Sequence, residues 1–182
     1  MGVHPSTAKE SRLIRVLPSM RLVDPFDLKP EDICIKDIAH HLARICRWNG
    51  GVNGFYSVAE HSIAVAKSVA PKFQLWGLLH DAAETYIGDI TRPVKSRLWV
   101  CEFNPYIAGS ERLRDLENQI LEVVAKRFNL IPEMPEQVKR ADDEQLARED
   151  AQIRKGKLEG NYPNIAEVRF LAVFNKLMEE RD

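Results

Sequence analysis

The 182 residues are one domain's worth of chain, enough to bury about 70% of the surface that the unfolded chain exposes. A formal net charge of -1 provides no global positive field, which argues against strong binding to a nucleic-acid polymer and favours a small anionic ligand held by a local basic pocket. No apolar run approaches the roughly 20 residues of a membrane span. Cys34, Cys46 and Cys101 are far apart, without a Cys-x-x-Cys pair or a secretory signal peptide, and read as reduced thiols of a soluble cytoplasmic protein.

Residues 1–20 lack clean periodicity and contain Pro5 and Pro18, so they read as an extended, mobile leader, with a single domain over 21–182. Arg21 to Phe26 and Ile33 to Lys36 are short apolar-alternating runs around the polar insert Asp27 to Asp32, which predicts a small N-terminal β-hairpin. Everything after it reads as helix. Asp37 to Cys46 carries Ile38, Leu42 and Ile45 at helical spacing, and the Asn49–Gly54 stretch breaks it, leaving Arg47 and Trp48 at a helix end. Ser57 with Glu60 three residues later has the form of a capping box for a helix over Val58 to Val69, with His61 in its first turns. Lys72 to Thr85 reads as the next helix, Gly88 as a break and Asp89 as a loop residue. Glu111 to Phe128 is amphipathic, Pro132 and Pro135 interrupt, and helices over Glu136 to Lys155 and Ala166 to Glu180 complete an all-α chain.

His61, the adjacent His80 and Asp81, and Asp142 form a spacing able to hold one divalent metal ion. The doublet sits in Leu78-Leu79-His80-Asp81-Ala82-Ala83-Glu84, where small neighbours leave room for an ion. Imidazole nitrogen with carboxylate oxygen suits Mn, Co, Fe, Mg or Zn and, without thiolates, argues against a closed structural zinc site. Taken alone, a His-Asp dipeptide is common by chance, and His61 on an apolar helix is more often a hydrogen-bonded core residue than a ligand. His40 and His41 read as a surface or packing pair.

The pattern of a His, a His-Asp pair and a distant Asp resembles the HD-domain phosphohydrolases. Within that family the stretches Tyr56 to Ser62 and His80 to Lys95, with the Arg47-Trp48 pair upstream, resemble the 5'-nucleotidase branch and its prophage-type relatives, over roughly residues 21–150. The resemblance implies an HD-domain helical bundle that hydrolyses (deoxy)nucleoside 5'-monophosphates, works as a homodimer, and uses His61, His80, Asp81 and Asp142 as metal ligands. The Ala141-Asp142 pair selects Asp142 over Asp143. Glu84 and Asp89 would assist attack of water and protonate the departing sugar oxygen, the acid role falling to Asp89. Arg47 would clamp the phosphate bidentately. Trp48 would pack on the sugar face or serve as a buried aromatic. Lys95 is either near the phosphate or a solvated surface lysine.

All histidines lie at or before position 80, which leaves no imidazole beyond the doublet for a second metal and argues against di-iron oxygenases and two-metal phosphodiesterases. Glu84 is followed by Thr85, unlike the Glu-Asp of alarmone hydrolases. The alternatives are hydrolysis of another phosphorylated nucleotide, an alarmone or a diphosphate, a non-catalytic nucleotide-binding module, or a scaffold in which the doublet is structural.

Overall fold

The computed structural model describes residues 12–101 and 110–181, and the chain is mostly helical with a short antiparallel sheet near its N-terminus. Strand β1 (Ile14–Val16) pairs with β2 (Arg21–Val23), Ile14 opposite Val23 and Val16 opposite Arg21. This corrects the expected hairpin, whose second strand was Ile33 to Lys36, and it takes residues 14–20 out of the expected leader. Residues 1–11 of that leader lie outside the described residues. The turn falls at Pro18, with Met20 in the left-handed region at φ 63°. Asp37, fully buried, accepts from the Ser19 N–H at 2.8 Å and the Ser19 hydroxyl at 2.6 Å, and His41 Nε2 accepts from the Leu17 N–H at 3.0 Å. The polar insert instead runs into a 3₁₀ turn at Pro30–Asp32, where proline sits at the start and its missing N–H costs nothing.

Helix α1 (Ile35–Leu42) follows, so the run read as a strand is split: Ile33 and Cys34 are extended, but Ile35 and Lys36 begin a helix. Helix α2 (Val58–Lys67) has the expected capping box: the Ser57 hydroxyl accepts from the Glu60 N–H at 3.2 Å and the Glu60 carboxylate accepts from the Ser57 N–H at 3.4 Å. Helix α3 (Gln74–Leu79) stops where the sequence predicts continuation, and α4 (Glu84–Ile87) resumes it. Between them the backbone winds tightly: Ala82 N–H to Leu79 O at 2.9 Å, Glu84 N–H to Asp81 O at 3.0 Å and Thr85 N–H to Ala82 O at 3.2 Å. These are i→i−3 bonds, and such tightened stretches recur at functional sites. Gly88, at φ 78°, ends α4 as expected.

Helix α5 (Arg92–Lys95) leads to a second ribbon, β3 (Trp99–Cys101) with β4 (Ser110–Arg112), which corrects the expectation of helix throughout. Helices α6 (Leu113–Arg127), α7 (Glu136–Arg154) and α8 (Pro163–Glu179) match the predicted helices to within three residues at each end.

The core is built around α2, which packs on α3, α7 and α8, while α1 also lies on α8. Small residues on α2 (Ala59, Ser62 and Ala66) let α3 approach closely. At Gly77 a Cβ would stand 2.9 Å from the Ala66 Cα and 3.2 Å from its backbone nitrogen. A second close approach is Gly160, in the loop between α7 and α8, where a Cβ would collide with the Glu60 carboxylate and the Phe55 carbonyl. Beside it the Asn161 N–H donates to Glu60 Oε1 at 2.9 Å. Among the described residues no helix is long and apolar enough to cross a membrane.

Gly77→Ala sets a helix-propensity gain of about 1 kcal/mol against an overpacking cost of about 1–3 kcal/mol. The clash is with backbone, which cannot rotate away, so a net loss is expected. Urea unfolding should show a lowered midpoint at unchanged slope; a midpoint equal to or above that of the parent protein would contradict the close approach.

Candidate metal centre

Four segments deliver the site. The cap of α2 fixes the start of that helix, and His61, one residue past Glu60, points inward with 0% exposure. Its Nε2 lies 3.0 Å from Asp142 Oδ1 and its Nδ1 lies 2.7 Å from Glu149 Oε1. The tight turn after α3 supplies His80 and Asp81. His80 Nδ1 donates to the Gly77 carbonyl at 2.8 Å, which assigns the proton of the neutral ring to Nδ1 and leaves a lone pair on Nε2. That Nε2 is buried and makes no hydrogen bond. Asp81 Oδ2, 3.2 Å away, is near enough for an ion pair but lacks hydrogen-bond geometry. An imidazole nitrogen facing carboxylates across such distances calls for positive charge between them, carried by a proton in the metal-free protein or by a metal ion that displaces it.

Asp142 comes from the second turn of α7 and, unlike its exposed neighbour Asp143, faces the histidines, with Oδ1 3.8 Å from His80 Nε2. Ligand atoms of His61, His80 and Asp142 all lie within 4.8 Å of one another. This nitrogen and oxygen set, with one buried imidazole nitrogen unpartnered, fits a borderline divalent ion. Asp81 adjoins the group: its Oδ2 is 3.8 Å from His61 Nε2 and 3.5 Å from Arg47 Nη1, so its carboxylate is shared between the histidines and the guanidinium.

The remaining expected residues border this group. Arg47 and Trp48 lie in a 3₁₀ segment, Arg47–Gly50, where Trp48 (φ 58°) and Asn49 (φ 51°) occupy the left-handed region. For a side chain as large as tryptophan such a backbone costs on the order of 1–3 kcal/mol and persists only where the surroundings fix it. Here the Arg47 N–H donates to the Tyr56 carbonyl at 2.9 Å, and the half-buried indole N–H donates to Glu149 Oε2 at 3.2 Å. Glu84 is 4% exposed and its Oε2 has no hydrogen-bond partner. Burial first, then the charges of Asp81 and Asp89, push its carboxyl well above the usual range. Asp89 is half-buried and is also pushed up, by burial and by Asp81, against the pull of Arg47. Lys95 is not a solvated lysine: its side chain is 15% exposed and it donates to Glu117 Oε1 at 2.6 Å, tying α5 to α6.

Two residues escape the sequence reading. Arg92 spans the pair of aspartates, with Nη2 2.6 Å from Asp142 Oδ2 and Nη1 2.6 Å from Asp143 Oδ1. Glu149 is fully buried and accepts from Arg47 Nε at 3.2 Å and from Tyr56 Oη at 3.0 Å, besides His61 and Trp48. The visible signal was its place on α7: Val138, Ala141, Asp142, Gln145 and Glu149 follow the i, i+3, i+4, i+7 stripe of an inward face, so the carboxylate stands where an apolar residue is expected.

Charge and protonation are linked here. Burial lowers the His80 pKa, but the carboxylates of Asp81 and Asp142 outweigh it and raise it to about 9 in the metal-free protein. The raised value means that this imidazolium stabilises the metal-free fold fully below its ordinary value near 6.5 and that the contribution is lost as pH rises through about 9. A metal ion must displace the same proton, so metal affinity is expected to rise with pH up to that point. Titration calorimetry of Mn²⁺ binding at pH 7, in buffers of different ionisation enthalpy, should report net proton release. Binding with no proton released would contradict a protonated His80.

No family model matches the chain. Over 136 residues it is 38% identical to an uncharacterized protein of Rhodobacter capsulatus, an alignment that covers 70% of this chain and 63% of that protein. Over 122 residues it is 35% identical to the uncharacterized protein YfdR of Escherichia coli, covering 67% of this chain and 62% of YfdR. The chain thus spans somewhat under two thirds of the length of the curated relatives it matches.

Proposed function

We propose that the protein is an HD-type phosphohydrolase that uses one divalent metal ion to convert (deoxy)nucleoside 5'-monophosphates to nucleoside and phosphate. The observation that carries this reading is the buried group of His61, His80 and Asp142, with an unpartnered imidazole nitrogen aimed into it and both a guanidinium and a raised-pKa carboxyl at its edge. When bound, the ion supplies Lewis-acid stabilisation of charge on the phosphoryl oxygens and acidifies water.

The chain's own residues supply the rest. Arg47 spends its Nε on Glu149 and turns Nη1 toward Asp81, so the guanidinium end nearest the histidines is available to a phosphate oxygen. Glu84, kept protonated by burial and by its acidic neighbours, can give its proton to the sugar oxygen as the P–O bond breaks. Asp89, half-buried and nearer solvent, is the better placed to orient the attacking water. The acid and water-orienting roles are therefore assigned in the reverse of the order that the resemblance implied. Trp48, its indole N–H committed inward, leaves its ring to border the sugar.

The test is phosphate release from a panel of ribo- and deoxyribonucleoside 5'-monophosphates with Mn²⁺, Co²⁺, Mg²⁺ or Zn²⁺. Release is expected to require a metal and to vanish in Asp81→Ala. Glu84→Gln, a neutral isostere of the protonated acid, should lower kcat by about 10²–10⁴-fold with little change in KM. In the parent protein kcat should fall as pH rises through the raised Glu84 pKa. Absence of release with every nucleotide and metal would overturn the nucleotidase reading, and full activity of Glu84→Gln would overturn the role of Glu84.

A further inference from the structure

We infer that Glu149 is a positioning residue whose single carboxylate sets the metal-binding tautomer of His61 with one oxygen and holds Arg47 and Trp48 with the other. This rests on the proposed reading of His61 as a metal ligand and of Arg47 and Trp48 as substrate contacts. Oε1 meets His61 Nδ1 at 2.7 Å, Tyr56 Oη at 3.0 Å and Gln145 Nε2 at 3.2 Å. Oε2 meets Arg47 Nε and Trp48 Nε1, each at 3.2 Å. The two sets differ in kind. Arginine and tryptophan nitrogens can only donate, whereas imidazole, hydroxyl and carboxamide can each donate or accept.

That asymmetry makes Glu149→Gln informative. The amide has one accepting end and one donating end. Its oxygen must stay on Arg47 and Trp48, since an NH₂ there would face two donors. Its nitrogen then faces His61, and the neutral ring can meet it only by placing its proton on Nε2 and accepting at Nδ1. Nε2 is the atom 3.0 Å from Asp142 Oδ1, and once protonated it cannot ligate a metal. Glu149→Gln is thus expected to weaken metal binding while leaving the Arg47–Trp48 segment in place. A purely structural carboxylate would affect both sides together.

The experiment measures Mn²⁺ dissociation constants, without nucleotide, for the full chain and for Glu149→Gln and Tyr56→Phe. The loss expected for Glu149→Gln is about 10–100-fold, as found when a partner of a ligating histidine is removed. Tyr56→Phe, which keeps the His61 contact, should bind Mn²⁺ as the parent does. At saturating Mn²⁺ the KM of Glu149→Gln should stay within about threefold of the parent value while metal affinity falls. Unchanged Mn²⁺ affinity in a folded Glu149→Gln protein would overturn the inference. Should that variant fail to fold, ¹⁵N chemical shifts of His61 in the parent protein loaded with Zn²⁺ decide: a protonated Nδ1 is expected, and a proton on Nε2 would overturn it. A parent protein that binds Mn²⁺ yet hydrolyses no nucleotide would refute the proposed function alone. One that binds no divalent ion would overturn both.

Discussion

A carboxylate sealed from water must have its lone pairs occupied by donors, because the desolvation of a buried charge is repaid only by close and well-aligned partners. At Glu149 that requirement draws three parts of the chain together: α2 through His61, the segment from Arg47 to Tyr56, and α7 itself. The left-handed backbone at Trp48 and Asn49 becomes intelligible in this light, since the bend brings the indole N–H and the guanidinium to the same carboxylate. Local strain in the loop is exchanged for satisfaction of a buried charge.

The rest of the site follows from a second constraint, the surplus of acid in a small volume. Asp81, Glu84, Asp89 and Asp142 all sense one another's charge or that of the same histidines. The fold handles them in different ways. Asp81 and Asp142 stay ionised beside imidazoles and Arg47 or Arg92, whereas Glu84, without a hydrogen-bond partner for one oxygen, is driven toward its neutral form. Environments that push like groups apart in acidity are how one chemical type takes on distinct roles. The i→i−3 winding from Leu79 to Thr85 carries two of these carboxyls, Asp81 and Glu84, into the site.

The helices with strong apolar periodicity were legible in the sequence. So was the Ser57 and Glu60 cap, because capping is local chemistry. The hairpin was misplaced because its turn lies among residues without periodicity, and its hold comes from Asp37 and His41, which are distant in sequence. The break after Leu79 was invisible to periodicity, since an i→i−3 turn shifts the phase of the pattern by a fraction of a residue per turn. The second ribbon was hidden by its brevity. At the site, the residues marked by a short motif could be named in advance and are brought together in space. Glu149 and Arg92 could not, because one meets His61 and Arg47 across 88 and 102 residues of chain and the other acts through a pairing across two helices.

Gly160 and Asn161 lock onto Glu60, the residue that caps the helix bearing His61. The connection between α7 and α8 therefore serves as a stitch into the site rather than as a spacer. A single proteolytic nick there would release Glu60 from its second anchor and loosen the end of α2 from outside the centre. Lengthening the loop would do the same. A connecting loop thus bears, through its backbone path and the Asn161 carboxamide, on the order of a histidine a hundred residues earlier.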